Sequence, residues 1–371
     1  MKLNEASSSD NISLFNHYIG ADGTLPTHAT AEYVIIFLSL VSFCSGAPIN
    51  VIALISLAQK NVRRRANRHL LSLSFNLCLA NLLILLFDAL GQKTFWYIFF
   101  QWHAGGLLCR AFQFFLILPY YGSSFLMTAI ALDMMLATRY PLSTKRSRRV
   151  RLSIAVSWML ATLVSIPQLF FWDVSNPFRN HPEFQQCLFK PTLHDQRLNS
   201  QIEYYYALAH GLVVFWIPLL IIFPCYAAIL SKMFNGSSLV LFKAGTYRKY
   251  RAAADQLLQA SGASTVTNDT DVLTLSRRRA MKLVATTVGL YIASWLPYQT
   301  VLMYRLICPD SYKVMFRYLD WLYALVLCYS CLNPFVFAFR VKNNLSGTSK
   351  RYFPLFGQNT QNVYKLNSFL D

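Results

Sequence analysis

The sequence predicts an all-α membrane protein, a seven-transmembrane helix bundle with its N-terminus outside the cell. Three observations predict this class. Of the 371 residues, 55% are hydrophobic and only 13% are charged, whereas a soluble domain is usually about a quarter charged. The apolar residues form seven segments, each near or above the roughly 20 residues that cross a bilayer. Basic residues are concentrated in alternate loops. We therefore expect a multi-pass protein of the plasma membrane.

The seven segments divide the chain into a membrane domain, residues 33–340, and two tails, residues 1–32 and 341–371. The connections are short except for residues 235–276, whose polar composition predicts a flexible loop. The long third and fifth segments imply tilt or a helix that runs past the bilayer. The predicted spans are Tyr33–Ala58, His69–Gly91, Leu107–Ala137, Leu152–Trp172, Tyr204–Lys232, Ala280–Leu306 and Phe316–Arg340.

Charge placement predicts which ends of the spans meet the cytoplasm. The net charge is +18, and this excess lies in the loops after spans one, three and five and in the C-terminal tail. Loops rich in lysine and arginine face the cytoplasm. The same placement argues against a nucleic-acid partner and indicates contact with anionic membrane lipid. Representative residues of these clusters are Arg63, Arg64, Arg65, Arg146, Arg148, Arg149, Arg277, Arg278, Arg279 and Lys350.

The two tails carry one motif each. Asn11-Ile12-Ser13 is a glycosylation sequon on the predicted outer side. Residues 342–356 mix basic and aromatic side chains, which predicts a short amphipathic helix along the inner leaflet after the last span.

Two prolines inside the last two spans predict a bundle that can move. Trp295 and Pro297 lie within the sixth span, and Asn333 and Pro334 lie within the seventh. A membrane helix tolerates proline because neighbouring helices and water satisfy the backbone that proline frees.

Polar residues within the spans are the first functional candidates, because charge in hydrocarbon is costly. Asp88 lies in the outer half of span two, Asp133 near the inner end of span three and Asp320 at the outer end of span seven. Three amides occupy matching depths of spans one, two and seven. Interhelical packing and a hydrated hinge below a ligand cavity both explain them, and both interpretations stay open. These amides are Asn50, Asn81 and Asn333.

A second polar set lies towards the outer ends of the spans. Gln113, Leu116 and Tyr120 have the i, i+3, i+7 spacing of one helix face. An uncharged amide both donates and accepts hydrogen bonds, as the peptide bonds of a ligand require. Helix capping and headgroup contact remain the alternative. The predicted ligand-binding residues are Gln92, Gln113, Leu116, Tyr120, Gln168, Tyr298 and Gln299.

Three cysteines, Cys109, Cys187 and Cys308, are predicted on the outer side, where disulfides persist. A bridge between Cys109 and Cys187 would pin the loop before span five over the mouth of the bundle. Cys308 would then be left over. The sequence predicts no metal site and no cofactor.

Taken together, the motifs resemble the rhodopsin-like (class A) G-protein-coupled receptors from about Tyr33 to Tyr352. The resemblance implies a disulfide between Cys109 and Cys187. It also implies an activation switch spread over six spans: Asn50, Asn81, Asp133, Met134, Tyr226, Trp295, Pro297, Asn333, Pro334 and Phe337. The motif residues are Asn50, Asn81, Asp133, Trp158, Pro218, Tyr226, Trp295, Pro297, Asn333 and Pro334.

Within that family, four segments are similar to the gonadotropin-releasing hormone, adipokinetic hormone and vasopressin/oxytocin receptor group. This implies a short neuropeptide or peptide hormone as ligand, bound near Gln92, Gln113, Gln168 and Tyr298. It also implies a heterotrimeric G protein as partner, often of the Gq class. The four segments are Asp88–Lys93, Ile166–Phe171, Gln185–Cys187 and Ser330–Pro334.

The chain departs from the family pattern at the inner side. Met134 stands where the family has an arginine after Asp133, so Asp133 is expected to lack its usual neighbour. Asn81 replaces an aspartate, which argues against a sodium site that relies on that carboxylate. Phe337 stands where the family has a tyrosine, and Tyr291 stands where a phenylalanine is common. These departures predict weak, basal or altered coupling.

Three alternatives are weighed against a signalling receptor. A non-signalling or decoy peptide receptor would keep the ligand site and lack coupling. A transporter would show internal repeats and broken half-helices, which the chain lacks. An enzyme would need an intramembrane catalytic constellation, and His210 has no carboxylate beside it in the sequence. We therefore expect a receptor and not an enzyme.

Overall fold

The computed structural model describes residues 30–63, 68–96, 101–140, 145–176, 184–189, 196–231, 269–307, 322 and 324–334. Several predicted features fall outside these residues. They are the N-terminal tail with Asn11, most of the flexible loop, Cys308, Asp320, Phe337 and the amphipathic helix after the last span.

Helices make up almost all of the described chain. Helix α1 is Thr30–Arg63, α2 is Arg68–Ile84 with a π-helical continuation Leu85–Trp96, and α3 is Gly105–Arg139. Helix α4 is Arg146–Ser165, followed by a single turn Gln168–Phe171. Helix α5 is Gln196–Gly211, with a π-turn Leu212–Trp216 and a continuation over residues 217–231. Helix α6 is Asp269–Ile307, and α7 covers residues 324–334.

Five of these helices are long and apolar enough to cross a membrane, and each coincides with a predicted span. Helix α6 covers the sixth predicted span, and the short apolar helix Ala324–Pro334 lies within the seventh. The full count of crossings and the side on which the N-terminus lies stay predictions. The five membrane-length segments are Tyr33–Gln59, Leu71–Phe95, Gly105–Arg139, Arg146–Phe171 and Tyr204–Ser231.

Three helices begin before the predicted spans. Helix α4 begins at Arg146, before the predicted start at Leu152, and breaks after Ser165, where Pro167 lies. Helix α5 begins at Gln196, before the predicted start at Tyr204. Helix α6 begins at Asp269 and takes in the last residues of the predicted flexible loop. In all three cases polar residues extend the helix past the apolar stretch that hydropathy detects.

Glycines let the helices approach closely at two places in the core. A Cβ on Gly46 of α1 would lie 2.7 Å from Cys331 Sγ of α7, and one on Gly122 of α3 would lie 3.0 Å from the Trp158 ring of α4. The Trp158 indole N–H also donates to Asn76 Oδ1 of α2 at 3.0 Å. Helix α3 therefore packs at the centre, and its neighbours are held by both shape and hydrogen bonds.

A small antiparallel hairpin follows α4. Strand β1, Trp172–Ser175, pairs with β2, Gln186–Phe189, in a register that sets Val174 opposite Cys187. We call the end of the bundle that carries this hairpin the hairpin end, and the opposite end, where α3 finishes, the Asp133 end.

Candidate functional site

The hairpin is fastened to the start of α3 by a covalent bond and several polar contacts. Cys109 and Cys187 form a disulfide with their Cα atoms 5.6 Å apart, which confirms the predicted pairing. Arg110 forms an ion pair with Asp173 at 3.1 Å, and the Trp102 amide donates to the Gln185 carbonyl at 2.8 Å. The hairpin therefore lies beside the hairpin-end turns of α3, where the predicted ligand-binding residues begin.

Four predicted ligand-binding glutamines lie at this end with amide atoms out of contact with solvent. Gln113, Gln168 and Gln299 are 2%, 5% and 0% exposed. Within the described part of the chain, Gln113 Nε2, Gln168 Oε1, Gln92 Oε1 and both amide atoms of Gln299 have no hydrogen-bond partner. A buried polar group without a partner costs about 1–3 kcal/mol. Each of these amide atoms is a hydrogen-bonding group that the described part of the chain leaves unused.

Gln168 is joined to α5 through a cluster of aromatic rings. Its Nε2 donates to the Tyr206 hydroxyl at 2.5 Å. The Tyr206 ring packs against Phe171 and Phe189, with centroids 5.5 and 5.9 Å away. One turn further along α5, His210 Nδ1 lies 2.9 Å from the Tyr121 hydroxyl of α3. His210 therefore makes a polar contact between α5 and α3.

Gln299 lies where α5 and α6 come closest. A Cβ on Gly211 would lie 3.0 Å from Gln299 Oε1 and 2.7 Å from Met303 Cε. The glycine therefore lets the two helices approach around the buried amide. Leu116 and Tyr298, the other predicted contact residues, are half-buried.

Trp295 connects this group to the middle of the bundle. It is 3% exposed and packs against the Tyr120 ring edge to face, with centroids 5.6 Å apart. The Tyr120 hydroxyl donates to Asp88 Oδ2 at 2.5 Å, and Asp88 is 1% exposed. Tyr120, a predicted ligand-binding residue, therefore links Asp88 of α2 to Trp295 of α6. Pro297, the predicted kink residue, lies inside α6 two residues beyond Trp295.

The mid-span amides are all fully buried, but only one has a hydrogen bond between helices in the described part. Asn50 Nδ2 donates to the Ser330 carbonyl of α7 at 3.0 Å. Asn81 and Asn333 have both amide atoms unpaired there, and the Tyr226 hydroxyl is also unpaired. Pro334 is buried beside Asn333. Asn50 therefore contributes to packing between α1 and α7, while the other amides leave polar groups unpaired in the described centre of the bundle.

At the Asp133 end, the usual neighbour of Asp133 is absent, as expected, but the carboxylate has a basic partner on another helix. Arg146 of α4 donates to both carboxylate oxygens, at 3.2 and 2.6 Å. Arg149 lies 3.9 Å from the same carboxylate. Met134 is 6% exposed and packs in the core. The basic residue that helix α3 lacks is supplied by helix α4.

Several residues of this arrangement were not selected from the sequence. Tyr206, Ser124 and Arg146 look like an aromatic near a membrane interface, a small helix residue and a member of a basic loop. Only their partners reveal a role. The sequence held one signal for Arg146. Arg146 and Arg149 have the i, i+3 spacing that places both on one helix face if the helix begins before Leu152.

The described residues contain no group of three or more histidine, cysteine, aspartate and glutamate side chains that could hold a metal ion.

Comparison with known proteins gives consistent matches over most of the chain. The family described as "7 transmembrane receptor (rhodopsin family)" matches residues 34–337. The G-protein coupled receptor daf-38 of Caenorhabditis elegans is 23% identical over 85% of this chain and 91% of its own length. The gonadotropin-releasing hormone II receptor of Clarias gariepinus is 25% identical over 85% and 77%, and the mouse vasopressin V1b receptor 24% over 81% and 70%.

Proposed function

The chain belongs to the rhodopsin family of seven-transmembrane receptors, and we propose that it is a receptor for a short neuropeptide or peptide hormone. Relatives named as gonadotropin-releasing hormone and vasopressin receptors support a peptide ligand. The family is one of receptors and not of enzymes, and its members are multi-pass proteins typical of the plasma membrane.

The single observation that carries the proposal is the set of unpaired, buried amide atoms at the hairpin end. Each peptide bond of a ligand offers one N–H and one carbonyl, which matches donors and acceptors presented by glutamines. Asp88 and the aromatic rings around Tyr206 and Trp295 add apolar walls and one anionic group. The arrangement supports a ligand with amide bonds and aromatic side chains.

The hairpin end would face the cell exterior. A disulfide between Cys109 and Cys187 is stable in an oxidising compartment, and the basic loops predicted at the opposite side would face the cytoplasm and its anionic lipid. With this orientation the N-terminus lies outside and the Asp133 end meets the G protein.

Coupling forms the second part of the proposal. A heterotrimeric G protein, with the Gq class favoured by the receptor group, would bind at the Asp133 end. Met134 can neither donate a hydrogen bond nor carry charge, so α3 contributes no cation beside Asp133 at this position. We expect weakened or atypical coupling. A decoy receptor that binds peptide without signalling is the limiting case.

The test is a panel of amidated neuropeptides applied to cells that express the receptor, with binding and calcium release measured separately. Gln168→Leu and Gln299→Leu are each expected to weaken the affinity of a binding peptide about fivefold, because one net hydrogen bond contributes about 1 kcal/mol. Binding without calcium release would support the decoy form.

Gln201→Leu is the matched control, since Gln201 is an exposed glutamine of α5 near the same end. Its affinity should stay within about twofold of the unmodified receptor. If all three variants bind equally well, the buried amides do not contact the ligand and the proposed site is wrong.

A further inference from the structure

The π-turn of α5 changes which side chains of that helix face the bundle. Residues 196–211 precede it and residues 217–231 follow it. A π-turn inserts one residue into an α-helix, and one residue corresponds to a rotation of about 100° around the helix axis. Tyr206 and His210, before the turn, therefore point in directions that a continuous α-helix would not give them.

Proline and two hydroxyl groups account for the position of the turn. Pro218 has no N–H, so the carbonyl of Val214, four residues earlier, lacks its α-helical donor. Ser124 Oγ of α3 donates to that carbonyl at 2.5 Å, and the Tyr291 hydroxyl of α6 donates to it at 2.6 Å. The two hydroxyl oxygens lie 3.0 Å apart. We call Ser124, Tyr291 and the Val214 carbonyl the hydroxyl clamp.

The clamp is completely enclosed by protein. Ser124, Val214 and Tyr291 are each 0% exposed. The Tyr291 ring is held by Phe215 of the π-turn, Trp295 of α6 and Tyr329 of α7, at centroid distances of 5.6, 5.9 and 5.5 Å. With the ring fixed on three sides, the hydroxyl has a set direction.

We propose that Ser124 and Tyr291 are positioning residues that hold the π-turn of α5 in register and thereby set the face that Tyr206 and His210 present to α3 and α4. The contacts that depend on this register are Tyr206 with Gln168 at 2.5 Å and His210 with Tyr121 at 2.9 Å. A phenylalanine at 291, common in this family, would leave the ring in place and remove the link to α5. The effect on helix register does not depend on the proposed function. The effect on ligand binding rests on the proposed function.

Hydrogen exchange on the purified receptor in lipid nanodiscs tests the register without any ligand. Tyr291→Phe and Ser124→Ala are each expected to speed amide exchange over residues 212–219 about five- to tenfold, because a buried hydrogen bond contributes about 1 kcal/mol. Exchange in the α3 and α4 cores should be unchanged. The double variant should lose less thermal stability than the sum of the single losses, since both hydroxyls share one acceptor.

Two variants control for the chemistry of the substitutions. Tyr304→Phe removes a hydroxyl from an α6 tyrosine that is 39% exposed. Ser157→Ala removes one that bonds only within its own helix, to the Ser153 carbonyl at 2.8 Å. The clamp would be overturned if amide hydrogen exchange over residues 212–219 were equally fast in the test and control variants. It would also be overturned if the stability losses of the two test variants were strictly additive.

The ligand arm uses a peptide that binds in the panel. Tyr291 lies below the ligand-binding residues and is not among them, yet Tyr291→Phe is expected to weaken binding several-fold by rotating Tyr206 and His210. If no peptide binds, the proposed function fails while the exchange result still decides the clamp. If exchange rises and affinity for a bound peptide is unchanged, the register does not set the pocket, and that half of the inference is wrong.

Discussion

Asp88 and Tyr120 form a buried pair that joins α2 and α3 to Trp295 of α6. The sequence predicts Asp88 as a costly intramembrane charge and Tyr120 as a ligand contact, without a link between them. The link appears only in three dimensions, because no spacing rule relates residues 32 positions apart on different helices. Tyr120 contacts Trp295 through its ring and Asp88 through its hydroxyl, so a ligand that moves Tyr120 disturbs both.

Tyr120→Phe is expected to lower the free energy of unfolding by roughly 2 kcal/mol, because it removes a hydrogen bond to a buried carboxylate. In the Asp88→Asn background the same substitution should cost less than about 1 kcal/mol, since a neutral amide is less dependent on that donor. Thermal unfolding of the purified receptor measures both. Equal costs in the two backgrounds would show that the hydroxyl does not serve Asp88.

At the scale of elements, hydropathy predicted the helices well and their polar ends poorly. The spans of α1, α2, α3 and α5 were placed within a few residues, because long apolar runs have no other stable form in a bilayer. The start of α4 was missed because Lys145 to Arg151 is the most basic stretch in that region. A loop and a helix projecting from the membrane are equally compatible with that composition. The π-turn of α5 was also not predicted, since it depends on the partners of one carbonyl.

The early start of α4 has a measurable consequence. Arg146→Gln is expected to destabilise the receptor by roughly 2 kcal/mol, because it removes two charge-assisted hydrogen bonds and leaves Asp133 with only the longer Arg149 contact. Arg148→Gln is the matched control, as Arg148 is an exposed member of the same turn. It should change stability by less than about 0.5 kcal/mol.

Thermal unfolding at constant salt concentration decides between them. Similar losses of stability for the Arg146 and Arg148 variants would mean that the ion pair with Asp133 contributes no more than any basic residue of this turn.

For the whole molecule, the described contacts fall into three groups between the hairpin end and the Asp133 end. Glutamines and aromatic rings lie at one end, Trp295 and the hydroxyl clamp in the middle, and the ion pair of Asp133 with α4 at the other. The sequence predicted the glutamines, Trp295 and Asp133 from residue type and family resemblance. It did not predict the Arg146 partner or the hydroxyl clamp, where a serine, a tyrosine and a backbone carbonyl act only through their mutual distances.

The last prediction concerns the basic partner of Asp133, which comes from α4 and not from α3. In the structure the carboxylate is bound by α4, so α3 and α4 are tied together and α3 offers no cation of its own beside Asp133. Met134→Arg would place a guanidinium on α3 next to this carboxylate, and its long stem would carry the charge towards the end of the helix. The new cation would compete with Arg146 and would be available to a G protein.

We expect Met134→Arg to raise the maximal response to a bound peptide severalfold, since a coupling free energy of about 1 kcal/mol changes an equilibrium roughly fivefold. Calcium release and G-protein dissociation measure the response, and radioligand binding shows that affinity is retained. Met134→Leu, which keeps the apolar volume, should behave like the unmodified receptor. If the unmodified receptor already responds as strongly as the arginine variant, the α4 arginines substitute fully for the missing residue, and weakened coupling is the wrong inference from Met134.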